Sequence, residues 1–195
     1  MDSKKYNIIY ADPPWYFSSR GPRSGRYGDL PYEDMKLKDL KAMRVADIAA
    51  DNCALHMWAV GSMMEEAFAL GRAWGFRPIR VDKVWCKKTC HGNKYGVVAP
   101  YGMNDVEFII LFGKGKICFE QEARNQYTTQ YVDCEYPGEH SRKPDHFRQL
   151  IDARWPKEWP RIELFCRQAP EGWDTWGNEA PNGLDLALVD IEDLF

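Results

Sequence analysis

Apolar residues in this chain recur with two alternating periods, and that alternation limits the fold more than any other feature. Short β-prone runs at Tyr6–Ala11, Cys53–Val60, Arg80–Trp85, Val106–Phe112 and Arg161–Arg167 are separated by segments with apolar positions at helical spacing. Leu37, Leu40 and Met43 mark a helix over 36–49, and Met64, Phe68 and Trp74 mark one over Ser62–Trp74. For the second, Ser62 with Glu65 predicts a capping box, and Gly75 predicts the end. A third helix begins at Pro144, with Phe147, Leu150, Ile151 and Trp155 along one side. Strands alternating with helices predict an α/β fold with a mainly parallel sheet. The near-continuous apolar run Val106–Phe112 is expected at its buried centre. The 195 residues, without repeat or low-complexity linker, suit one domain, 1–195, with a single core.

Two stretches escape the pattern. Residues 17–31 are rich in Gly, Ser, Arg and Pro, and residues 87–105 in Lys, Gly, Asn and Tyr. Both exceed the usual connection length and begin where ligands of open α/β sheets bind, so both are expected to be active-site loops. A formal net charge of −3 argues against a protein that coats nucleic acid non-specifically, and leaves room for a local basic patch. Residues 184–195, alternating acids with apolar residues, read as a C-terminal tail. The chain has no run of 18 apolar residues and no signal-peptide core, so a cytoplasmic protein without membrane contact is expected. Six scattered cysteines read as reduced core residues. Cys86-x-x-x-Cys90-His91 lacks a second ligand pair at zinc spacing, so no metal site is expected.

The chemistry concentrates at Asp12-Pro13-Pro14-Trp15, directly after the first β-run. A carboxylate and a backbone carbonyl are both acceptors, and together they can bind the two N–H groups of an exocyclic amine such as adenine's. Such an amine is a poor nucleophile because its lone pair is delocalised into the ring, and this binding favours a more pyramidal nitrogen. Consecutive prolines fix φ and supply carbonyls without competing N–H donors. An adjacent Trp can stack a base, worth on the order of 1–3 kcal/mol. The other reading is a strand terminator with Trp15 packed in the core. Further along, Lys143 lies at a predicted helix start, where the dipole disfavours a cation unless an anion is near. Glu163, inside an apolar strand, is expensive to bury unpaired and is expected to meet Arg167, a backbone donor or ribose hydroxyls.

The tetrapeptide after a strand resembles the catalytic motif of the MT-A family of adenine N(6)-methyltransferases, and the resemblance extends over nearly the whole chain. It is carried by Tyr32-x-x-Met35, Leu55-His56-Met57-Trp58, Asn104-Asp105-Val106-Glu107 and Gly113-Lys114-Gly115. It continues through Glu139-His140-Ser141-Arg142-Lys143-Pro144-Asp145, Glu163-Leu164-Phe165-Cys166-Arg167 and Trp176-Gly177-Asn178-Glu179.

The resemblance implies a Rossmann-like fold in permuted order, catalytic motif before cofactor motif, with S-adenosylmethionine as methyl donor. It implies that Asp12 and the Pro13 carbonyl, in the motif completed by Pro14, hold the target amine and that Trp15 stacks the adenine. Lys143, with Ser141 beside it, would bind the methionine carboxylate of the cofactor. Glu163, Phe165, Arg167, Asn178 and Glu179 would line its sugar and base. Arg20, Arg23 and Arg26 in the first loop, and Lys87, Lys88, Lys94 and Asn104 in the second, are the expected substrate contacts, the basic ones at phosphates. The chain departs from the family pattern at Met103, where many bacterial relatives have an arginine, and in having only eleven residues before Asp12. DNA is the expected substrate because no separate RNA-binding module is present. RNA, or a catalytically silent methyltransferase-like partner subunit, are the alternatives. Family members often pair, which makes a homodimer compatible with the resemblance.

Overall fold

The computed structural model describes residues 4–16, 34–99, 101–117, 129–138, 142–166 and 168–177. In chain order these residues form β1 (Tyr6–Ala11), α1 (Leu37–Ala42), α2 (Val45–Ile48), β2 (Ala49–Ala59), α3 (Met64–Ala73) and β3 (Arg77–Lys88). They continue through β4 (Val97–Ala99), β5 (Gly102–Asn104), β6 (Val106–Lys114), β7 (Tyr131–Glu135), α4 (Asp145–Arg154), β8 (Arg161–Leu164) and β9 (Asp174–Trp176). Among the described residues the main sheet runs β7-β3-β6-β2-β1-β8-β9, and β4 and β5 make a separate two-stranded ribbon. Neighbours in the main sheet are parallel except at β6, which is antiparallel to both β2 and β3. The fold is α/β with a mostly parallel sheet, as the alternating periods predict.

The central strands are buried on both faces, which is why they read as continuous apolar runs. Ile9, Ala11, Leu55, Met57, Ile110 and Phe112 face one core, closed by Leu40, Val45, Ile48 and Leu70 of α1, α2 and α3. Ile8, Tyr10, Trp58, Ile109 and Leu111 face the other, closed by Phe147 and Ile151 of α4 and by Trp155. Gly71 interrupts α3 for a packing reason: a Cβ there would lie 2.3 Å from the ring of buried Phe112.

Three local expectations change. The helix expected over 36–49 is two short helices, broken at Met43, which is extended (φ −63°, ψ 136°), and β2 already begins at Ala49. A continuous helix would place Val45 about 140° around the axis from Leu40. The break lets Leu40, Met43, Val45 and Ile48 all enter one core. The expected Ser62–Glu65 capping box does not form. Gly61–Met63 make a 3-10 turn closed by Met63 N–H on the Val60 carbonyl at 2.9 Å, and α3 begins at Met64 without a side-chain cap. Its other end follows the expectation. Gly75 is left-handed (φ 83°), and Phe76 N–H reaches back to the Gly71 carbonyl at 3.0 Å. Finally, β3 runs on through Lys88, and the second expected loop contains the β4–β5 hairpin.

One buried histidine stands out in β2. His56 is fully buried, its Nε2 accepts from Trp155 Nε1 at 2.9 Å, and its Nδ1 lies 3.9 Å from Asp82, itself bonded to Arg154 at 2.6 Å. Burial pushes its pKa down to about 4, against the opposing pull of Asp82 and with further lowering from Arg154 and Lys83. The unfolded chain therefore binds a proton at His56 that the folded chain does not. This contribution costs no stability above pH ~6.5 and costs about 1.4 kcal/mol per pH unit as pH falls from there toward 4. Thermal midpoints of wild type and His56→Gln measured from pH 7 to 5 should show the shallower acid loss in the variant. Equal slopes would assign the acid sensitivity elsewhere.

Candidate active site

The carboxyl ends of the parallel strands define one edge of the sheet. Ala11 of β1 pairs with Met57 of β2 on one side and with Leu164 of β8 on the other, so Asp12, Trp58 and Phe165 follow in the next row. The chain leaves β1 for β2 and later adds β8 on its opposite flank, which makes this the switch point where open α/β sheets bind ligands. Because β6 is antiparallel, its amino end comes to the same edge, with Phe108 opposite Ala59. That direction delivers Glu107 to the site.

Four charges meet there. Lys143 Nζ donates to Asp12 Oδ2 at 2.7 Å, lies 3.3 Å from Glu107 Oε2, and sits 5.4 Å from the Trp58 ring centroid. Glu107 Oε1 accepts from Lys87 Nζ at 2.7 Å. Burial alone would favour neutral Lys143, yet the Asp12 and Glu107 carboxylates outweigh it and hold the ammonium's pKa above its ordinary value. Burial likewise opposes ionisation of Glu107, and the two lysines reverse this, leaving it below the usual range. The anion expected beside Lys143 is thus present as protein carboxylates. Pro144, next in sequence, precedes the first turn of α4 and sets Lys143 at that helix start.

The turn after Asp12 is closed by its own backbone. Trp15 N–H donates to the Pro13 carbonyl at 2.9 Å, and Met35 N–H donates to the Pro14 carbonyl at 2.8 Å. Each carbonyl retains a second lone pair. Trp15 is buried at 7% exposure in the core shared with α1 and α3, and its indole Nε1 has no hydrogen-bond partner among the described residues.

On the β8 side, Glu163 meets Arg148 of α4 at 2.9 Å, where the sequence pointed to Arg167, a backbone donor or a ligand. Arg148 also pairs with Asp145, one turn before it on α4. Burial raises the Glu163 pKa above the carboxylate norm, with Arg148 opposing. Phe165 is left-handed (φ 63°) and packs edge-to-face on Trp176 at 5.3 Å. Cys166 N–H bonds the Trp176 carbonyl at 3.1 Å, and a Cβ on Gly177 would lie 2.5 Å from the Cys166 carbonyl oxygen. The end of β8 is therefore locked against the end of β9.

The structure brings Asp12, Pro13, Pro14, Lys143, Glu163 and Phe165 to one edge. Lys87, expected at a phosphate, is instead buried in β3 on Glu107, because the strand continues past the point where a loop was expected. Lys88 pairs with Asp133 at 3.2 Å, and Asn104 is exposed in β5. Arg20, Arg23, Arg26, Ser141, Arg167, Asn178 and Glu179 lie outside the described residues. The sequence reading assigned no role to Glu107 or Arg148. The available signals were a carboxylate opening an apolar strand and an Asp145-x-x-Arg148 pair on one helix face. Among the described residues no group of three or more His, Cys, Asp or Glu could hold a metal ion, the cysteines are free, and no helix is long and apolar enough to cross a membrane.

The chain is similar in sequence to known proteins over most of its length. The MT-A70 family matches residues 6–179. Type II methyltransferase M.MunI of Mycoplasma sp is 34% identical over 198 residues, spanning 93% of this chain and 81% of that protein. The N(6)-adenine-specific methyltransferase METTL4 of Mus musculus is 27% identical over 189 residues, and that of Homo sapiens 27% over 190. In both, 90% of this chain matches 38% of the relative's length. A match from the first strand of the sheet to just beyond its last, enclosing the whole edge described above, shows that the chain belongs to the MT-A70 family of N(6)-adenine methyltransferases.

Proposed function

We propose that this chain transfers the methyl group of S-adenosylmethionine to the exocyclic N(6) amine of adenine in DNA at specific sites. The observation that carries the reading is the Lys143–Asp12 pair at the switch point, which unites the candidate acceptor site with the candidate donor site. The likeness to a type II methyltransferase over most of both chains supports DNA as the carrier.

The residues fit the cofactor. Lys143 is a buried ammonium suited to a carboxylate, Glu163 offers acceptors for ribose hydroxyls, and Phe165 offers an aromatic face beside them. Ser141, Arg167, Asn178 and Glu179 complete this set through the resemblance. Bound there, the cofactor supplies a methyl group made electrophilic by its sulfonium.

Asp12 accepts one N–H of the adenine amine, and the spare lone pair of the Pro13 carbonyl accepts the other. Held by these two acceptors, the amine would have its lone pair turned out of conjugation and toward the methyl group that the bound cofactor would supply. The nitrogen then sheds a proton, for which Asp12 is the acceptor. The transfer is direct, with no covalent enzyme intermediate and no metal. The Lys143 contact holds the Asp12 carboxylate in place at the end of β1. Arg20, Arg23 and Arg26 are the proposed phosphate contacts; Trp15, expected to stack the adenine, is packed instead in the core below the turn.

Sequencing adenine methylation in DNA from cells that express the protein tests this directly. Wild type should mark one short recognised sequence, and a catalytic variant should leave it unmarked. Methyl transfer to matched RNA, with the DNA unmarked, would move the assignment to RNA.

A further inference from the structure

The β4–β5 hairpin is the most exposed apolar element of the described residues. Val98 is 73% exposed, Met103 opposite it is 55% exposed, and Tyr101 near the tip is fully exposed. Val98 and Met103 are directly paired, so their side chains share one face of the ribbon. Tyr101 is left-handed (φ 73°), a conformation that disfavours a bulky side chain. An aromatic ring displayed at such a cost, without packing among the described residues, asks for an occupant.

The root of the hairpin is tied to the active site and to the core. Lys87 N–H bonds the Asp105 carbonyl, and Tyr95 N–H bonds the Lys87 carbonyl, each at 3.0 Å. These contacts fix the ribbon beside the Lys87–Glu107–Lys143 cluster. Tyr95 stacks on Tyr136 at 4.6 Å, and Tyr136 is near-parallel to buried Trp85 at 6.5 Å. The arm is therefore braced at its base, while Tyr101 near its tip is fully exposed among the described residues. The four steps from Asp105 to Tyr101 reach about 13 Å when extended, more than the ~8.5 Å depth of the major groove. His91 and Lys94 are exposed on the turn that leads into the ribbon, where phosphates flank a groove.

An enzyme that reaches the N(6) amine in a duplex must take the base out of the stack, and apolar or aromatic side chains commonly fill or pry open such steps. Resting on the proposed methylation of DNA, we propose that the β4–β5 hairpin is the strand-opening wedge, with Tyr101 entering the stack beside the target adenine and Val98 and Met103 lining its flank. A second copy of the chain is the weaker occupant. A two-stranded ribbon with three residues per strand offers far less than the ~800 Å² per partner of a stable interface.

The test uses duplex oligonucleotides carrying the site found by sequencing, with the target adenine either paired to thymine or facing an abasic position. The second duplex is already open and needs no wedge. Tyr101→Ala should lose about tenfold or more in methylation rate on the paired duplex and less than about threefold on the abasic one. Tyr101→Trp, which keeps an aromatic ring, should restore most of the paired-duplex rate. Equal loss on both duplexes, or no loss on either, overturns the wedge while leaving DNA methylation standing. Equal loss accompanied by a dimer-to-monomer shift in sedimentation reassigns the hairpin to an interface between copies. If wild type marks no DNA sequence at all, the parent reading fails and the wedge falls with it.

Discussion

Asp12→Ala is expected to lower the rate of methyl transfer to adenine by about 10²–10³-fold, the usual consequence of removing one pre-placed group that acts on the transition state. Asp12 ends β1 at the switch point, and its carboxylate is the side-chain acceptor proposed for the amine. Alanine leaves the fold intact because Lys143 keeps Glu107 at 3.3 Å and the two prolines still shape the turn. Cofactor affinity by calorimetry should therefore change little while the rate collapses. Asp12→Asn, whose amide oxygen still accepts a hydrogen bond, should retain more activity than the alanine variant. Unchanged transfer by Asp12→Ala would remove Asp12 from the mechanism.

Lys143→Met acts on the other half of the reaction. Truncating one partner of a buried charged contact costs about 2–5 kcal/mol, which predicts at least a ~30-fold loss of S-adenosylmethionine affinity in calorimetry. The variant should also be less stable to urea, because Asp12 and Glu107 lose an ammonium that both approach. The stability loss should sit at the low end of the ~3–5 kcal/mol typical for breaking a buried pair, since Glu107 retains Lys87 at 2.7 Å. Lys143→Arg should keep part of both properties. Wild-type cofactor affinity in Lys143→Met would transfer the carboxylate contact to another residue.

The exposed aromatic tip and the four-charge cluster are linked by one short run of chain. Asn104 closes β5, and Glu107 lies three residues later in β6. Binding events at the ribbon and at the site are thus separated by the Lys87–Asp105 backbone bond rather than by a flexible connection.

The sequence by itself determined the alternation of strands and helices, the end of β1 at Asp12-Pro13-Pro14-Trp15, the left-handed stop of α3 at Gly75, and the placing of Lys143 at a helix start. All of these depend on residues adjacent in the chain, where periodicity, proline and glycine act locally. Only the tertiary structure decided that β6 runs against its neighbours, because a buried apolar run reads the same in either direction. That one reversal brings Glu107 to the edge that holds Asp12 and Lys143. It also decided that Lys143 reaches Asp12 across 131 positions, that Arg148 of α4 pairs with Glu163, and that Lys87 is buried. Charge pairing of this kind is set by which strands and helices lie side by side, and no local pattern records it.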